Sequence, residues 1–147
     1  MPTLTPGWLS QHIVNKAPEA IIFADQEGVI RLWNDGATAI FGYSAEEAVG
    51  QNLDLIIPER QRGRHWEGYR RVMETGVTRY GAADLLAVPA LRKDGTRISL
   101  EFSIVLARDE QDRLMGIAAI MRDVTKRWQQ EREMRARLAA LEAKSNK

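Results

Sequence analysis

Residues 98–106, ISLEFSIVL, alternate apolar and polar side chains for most of their length, and this pattern constrains the fold more than any other feature of the chain. In an extended backbone successive side chains point to opposite sides, so one side of this segment is apolar and the other polar. Such a strand belongs in an antiparallel sheet with one covered face and one wet face. Turn signals flank it: Lys93-Asp94-Gly95 before it and Asp109-Glu-Gln-Asp-Arg113 after it. Together they predict three strands, at about Tyr80 to Leu91, Ile98 to Ala107 and Met115 to Arg122.

The first half supplies two more strands. AIIFA at residues 20–24 and VIRLWN from Val29 are separated by DQEG, whose Gly28 suits a left-handed turn position, and a hairpin is the simplest reading. Short helices follow. One is predicted from about Asp35 to Phe41, and Ser44-Ala-Glu-Glu47 reads as a capping box ending at Gly50. A longer helix is predicted from about Pro58 to Glu74, stopped by Gly76. Ahead of the hairpin, residues 8–17 can form a short helix with Leu9, Ile13 and Ala17 on one face.

The last stretch, VTKRWQQEREMRARLAALEAKSNK, is rich in helix formers. Val124, Trp128, Met134, Leu138 and Leu141 mark an apolar seam that slips between Trp128 and Met134, so it is no clean heptad. A charged helix with so thin a seam is marginal alone and is expected to lie against the domain or a second copy. The sum is an α+β domain: a five-stranded antiparallel sheet with short helices on one face, an N-terminal cap helix and a C-terminal helix. The boundaries drawn are 1–17 for the cap helix, 18–124 for the domain and 125–147 for the exit helix. A ligand cavity is expected between the longer helix and the sheet.

Composition excludes several chemistries. The chain has 147 residues, which suits one domain, and no cysteine, which removes disulfides, thiolate zinc sites, iron–sulfur clusters, cysteine nucleophiles and a cysteinyl–flavin adduct. The 21 basic and 20 acidic residues nearly cancel, so nothing global calls for a nucleic acid or an anionic membrane. No apolar run approaches the ~20 residues that span a bilayer, and MPTLTPGWLSQHIVNK lacks a secretory pattern. A cytoplasmic protein is the expectation. No P-loop, GxSxG, HExxH or kinase set is present, which argues against an enzyme.

GVIRLWNDGATAIFGYSAEEAVGQN, RKDGTRISLEFSI and GIAAIMRDVTKR, in that order, resemble the PAS domain family over about residues 12–127. The resemblance implies a PAS fold: a sensory module that binds a cofactor or small ligand, or only mediates dimers, and signals through a flanking helix. GQNLDLIIPERQRGRH is similar to the haem-binding PAS domains of FixL-type oxygen sensors. That similarity implies haem b with His65 as the iron ligand, sensing a diatomic gas. It places Arg71 and Arg79 near positions that bind propionates, and Phe102 and Ile104 on the strand of distal apolar residues. The distal arginine of that group has no counterpart: Asp84-Leu85-Leu86 stand there, with a residue inserted ahead of them.

Beside the resemblance stands the reading of the residues themselves. His65, Tyr69 and Val72 share a helix face, Gly68 removes bulk close to it, and Arg64 and Arg71 flank it where they can pair with carboxylates. An ordinary helix histidine remains the alternative. Trp33 and Trp66 admit flavin stacking, so FAD is a lesser candidate, but a core position is favoured for Trp33. Asp84 and Tyr80 either offer polar groups to a ligand or sit on a wet strand edge. Arg60, Arg62, Arg64, Arg70 and Arg71, interleaved with Trp66 and Tyr69, read better as a solvated face than as a nucleic-acid surface, because Glu59 and Glu67 interrupt them. The expected partners are a second copy of the chain and a downstream signalling protein such as a histidine kinase. The rival functions are a ligand-free dimerisation module and the regulatory part of such a kinase.

Overall fold

Gly28 sets the first hairpin. Its φ of +82° is a left-handed conformation, which costs little without a β-carbon. The strands it joins are β1 (Ala20–Asp25) and β2 (Ile30–Trp33), paired antiparallel. The Asp25 carboxylate braces the turn, accepting hydrogen bonds from the backbone N–H of Glu27 at 2.9 Å and of Val29 at 3.0 Å. The structure is a computed structural model and describes residues 5–78 and 86–146.

Before the hairpin runs α1 (Pro6–Lys16), capped by the Thr5 side chain and with a proline in its first turn. After it come α2 (Asp35–Phe41), α3 (Ala45–Ala48), a 3-10 turn at Leu53–Ile56, and α4 (Glu59–Thr75). The capping box forms as the sequence predicts: Glu47 N–H donates to Ser44 Oγ at 3.1 Å, and Ser44 N–H donates to Glu47 Oε1 at 3.0 Å. Gly76, at φ +69°, ends α4 in the left-handed conformation that favours glycine. The 3-10 turn is an addition that the sequence reading did not separate from the short helices.

Three strands complete the sheet: β3 (Leu86–Leu91), β4 (Arg97–Arg108) and β5 (Leu114–Asp123). The predicted start of the third strand, Tyr80 to Leu85, lies outside the described residues. The order is β2-β1-β5-β4-β3. The last strand therefore sits between the first hairpin and the second, and joins the two ends of the domain. Its register opposes Ile22 to Ala119 and Ala119 to Ile104. These residues share the covered face with Ile98, Leu100 and Phe102, as the alternation requires.

Two residues tie the helices to that face. Trp33 is buried, and its indole N–H donates to the Tyr43 carbonyl at 3.0 Å and Thr38 Oγ1 at 3.2 Å. Asn34 is 2% exposed and fully satisfied. Its Oδ1 accepts from the backbone N–H of Ile21 and Ala37, and its Nδ2 donates to the carbonyls of Val14 and Glu19, all within 2.9 Å. One amide thus joins α1, β1 and α2.

The last helix, α5 (Thr125–Ser145), buries none of its own residues. Its seam stands open, with Met134 68% and Leu141 64% exposed. Of the two placements expected for it, packing along the domain is therefore not adopted. Its base is fixed all the same. Ser99 N–H donates to Thr125 Oγ1 at 2.9 Å, Val124 N–H donates to the Ser99 carbonyl at 2.8 Å, and Arg127 pairs with Glu101. Among the described residues no helix is long and apolar enough to cross a membrane.

Candidate functional site

Helix α4 carries the site, and two aromatic residues fix where it lies. Trp66 rests on the hairpin turn: a β-carbon at position 28 would fall 2.2 Å from its indole ring. Only glycine therefore suits position 28, for its backbone angle and for this contact. The Trp66 indole N–H donates to Asp54 Oδ1 at 2.7 Å. One turn further along, the buried Tyr69 hydroxyl reaches the end of β1, lying 2.5 Å from the Asp25 carbonyl oxygen and 3.1 Å from that of Ala24.

His65 is held between these anchors. Its ring centroid lies 4.7 Å from that of Trp66, edge to face, and 5.7 Å from that of Tyr69. The side chain is half-buried, and Nδ1 is a fully enclosed atom with no hydrogen-bond partner. Gln61 Oε1, one turn earlier, is enclosed and unpartnered as well. Burial pushes the imidazole pKa below its ordinary value, against an opposing pull from the Asp54 charge. His65 is therefore neutral near pH 7, the form in which imidazole binds metal.

The covered face of the sheet supplies apolar surface. Phe102 and Ile104 are successive inward residues of β4 and pack against the same core as Trp66. Leu86 pairs with Phe102 across β3 and β4 and is half-buried. A β-carbon at Gly68, three residues along α4 from His65, would meet nothing within 4 Å, as at Gly63. Arg71 is exposed and pairs with Glu67 at 3.4 Å on the outer side of α4. Arg79, Tyr80 and Asp84 lie outside the described residues.

Other sequence candidates have structural duties. Trp33 is committed to the core and Trp66 to Gly28 and Asp54, which leaves neither indole face assigned to a flavin. Arg62 turns inward and donates to the Ile57 carbonyl at 3.0 Å, so the arginines of α4 are not one uniform stripe. Glu47 also pairs with Lys93, and Asp94 braces its turn by accepting from Thr96 N–H. Sequence reasoning missed Gln61, although its place four residues before His65 was a legible signal. It missed Asn34 too, whose partners are scattered along the chain.

A haem group needs a neutral imidazole on a rigid element and apolar surfaces for a flat macrocycle. The neutral imidazole of His65 on α4 and the apolar Leu86, Phe102 and Ile104 on the sheet are side chains of the kinds that requirement names. Among the described residues no cluster of three or more His, Asp or Glu side chains offers a multidentate metal site.

The chain is 34% identical over 95 residues to the sensor protein FixL of Bradyrhizobium diazoefficiens, a match covering 63% of this chain and 18% of that protein. It is 26% identical over 142 residues to the oxygen sensor protein DosP of Escherichia coli, covering 96% of this chain and 16% of that one. The chain thus spans less than a fifth of the length of either. Among solved structures, the PAS domain of a Colwellia psychrerythraea protein superposes with a TM-score of 0.72 at 24% identity, covering 83% of this chain and 99% of that one. The family model of the PAS fold matches residues 14–129, nearly the whole of the sheet-and-helix domain, and the chain belongs to that family.

Proposed function

We propose that this chain is a non-enzymatic sensory PAS module that holds haem b through His65, responds to a diatomic gas, and passes its state through α5 to a homodimer and a downstream signalling protein. The observation that carries the reading is His65 itself, half-buried on α4 between Trp66 and Tyr69, with an imidazole that burial keeps neutral. The names of the two relatives, one a sensor and one an oxygen sensor, support the same direction.

When bound, the haem supplies an iron with a coordination position open to a gas. The chain's own residues do the rest. His65 holds the group from α4, whose position Trp66 and Tyr69 fix. Leu86, Phe102 and Ile104 give an apolar wall that limits water. Arg71 and Arg79 are the candidates for the propionates, Arg71 by leaving Glu67, an exposed partner worth little. Strand β4 then connects site to output. Phe102 and Ile104 face the core, while Ser99 and Glu101 on the same strand grip the base of α5. A displacement of β4 moves both ends together, and this is the differential contact that a ligand needs to shift populations.

The second copy is supported by apolar residues without cover: Trp8, Leu9 and Ile13 on α1, Val105 and Ile120 on the outer sheet face, and Leu138 and Leu141 on α5. The same residues favour the alternative, a ligand-free module that only pairs. The absorption spectrum of protein purified from haem-replete cells separates the two. The sensor reading expects a Soret band that His65→Ala abolishes; colourless wild-type protein that is dimeric supports the pairing module.

A further inference from the structure

We propose that Gln61 is a positioning residue for His65: its Oε1 accepts a hydrogen bond from Nδ1–H and so fixes the imidazole as the tautomer whose bare nitrogen is Nε2. The inference deepens the haem reading above and rests on it only for what Nε2 then does. Its ground is the pair of enclosed side-chain atoms left without a partner among the described residues, Gln61 Oε1 and His65 Nδ1. They belong to residues four apart on α4, which share one helix face.

Their chemistries are complementary. A neutral imidazole carries one N–H and one bare nitrogen, and an amide oxygen only accepts. A bond between these two atoms therefore exists only with the proton on Nδ1. Of the nearby groups, Asp54 Oδ1 receives the Trp66 indole N–H, and the Tyr69 hydroxyl is aimed at the end of β1. A hydrogen bond between the two satisfies both unmet groups, Gln61 Oε1 and His65 Nδ1, at once. A ligating histidine held by a hydrogen bond at its other nitrogen is a stronger donor and a better-oriented one.

The test reads the tautomer in cofactor-free protein by nitrogen-15 NMR at pH 8, with His12→Ala assigning the second histidine. Wild type is expected to hold His65 with the proton on Nδ1. Gln61→Met, similar in length but lacking the amide acceptor, is expected to shift the population toward the Nε2–H form, and Gln61→Glu to restore Nδ1–H. In haem-loaded protein the Met variant is expected to raise the reduction potential and the Glu variant to lower it. A wild-type His65 protonated on Nε2, or a tautomer unmoved by Gln61→Met, overturns the proposal. Failure of wild type to take up haem sinks the sensor reading alone, since the cofactor-free tautomer still decides the role of Gln61.

Discussion

The Tyr69 hydroxyl lies 2.5 Å from the Asp25 carbonyl oxygen and joins the middle of α4 to the end of β1. Tyr69→Phe keeps the ring and deletes that tie, at an expected cost of about 1–2 kcal/mol. Thermal unfolding is the check, and a melting temperature equal to wild type would show the bond to be idle. Burial first, then the Asp25 charge, pushes the Tyr69 phenol well above its ordinary value of 10.0. The unfolded chain loses that proton earlier than the folded one. This contribution to stability is therefore complete below pH 10 and declines as pH rises above it.

Gly28→Ala introduces a β-carbon at a positive φ and against the Trp66 ring. The expected loss is about 2–4 kcal/mol, from backbone strain plus overpacking. Gly63→Ala is the matched control, in a helix interior where a β-carbon meets nothing within 4 Å. It is expected to stabilise by about 0.5–1 kcal/mol. Urea unfolding of both variants gives opposite signs if Trp66 seats on the turn as described.

His65 makes stability depend on pH near neutrality. Burial lowers its folded pKa below the ordinary 6.5, so the unfolded chain takes up a proton first as the medium is acidified. The contribution is whole above pH 6.5 and is lost as pH falls through the folded value. Cofactor-free wild type is expected to weaken between pH 7 and 5, and His65→Gln to weaken less. Parallel curves for the two proteins would contradict a buried neutral imidazole.

Arg127 and Glu101 hold the first turn of α5 to β4. Arg127→Ala is expected to change global stability by no more than about 1 kcal/mol, because the arginine is half exposed. Amide exchange at the start of α5 should nevertheless quicken severalfold. Unaltered protection there would remove the proposed link between β4 and the exit helix.

Local chemistry made much of this architecture legible. Ser44 and Glu47 are three residues apart and cap one helix between them, Gly28 and Gly76 stop elements where left-handed angles are needed, and Ile98 to Ile104 alternate on one strand. Each signal lies within one turn or one strand. Asn34 resisted because its partners, Val14 on α1, Glu19 just ahead of β1, Ile21 on β1 and Ala37 on α2, are brought together by docking that no periodicity encodes. The Trp66–Gly28 contact joins residues 38 apart, and nothing in either neighbourhood announces the other. His65 was singled out by its type and place, but its enclosure, and that of Gln61, depend on how α4 rotates on the sheet. The exit helix shows the reverse case, since its seam was visible in the sequence and finds no cover within one chain.

The chain contains two histidines, His12 and His65, so a haem titration of the cofactor-free protein has a built-in control. Wild type and His12→Ala should each take up haem at one per chain with a sharp Soret endpoint, and His65→Ala should show no endpoint. Equal uptake by His65→Ala, or no endpoint with wild type, would contradict the assignment of His65 as the residue that holds the cofactor.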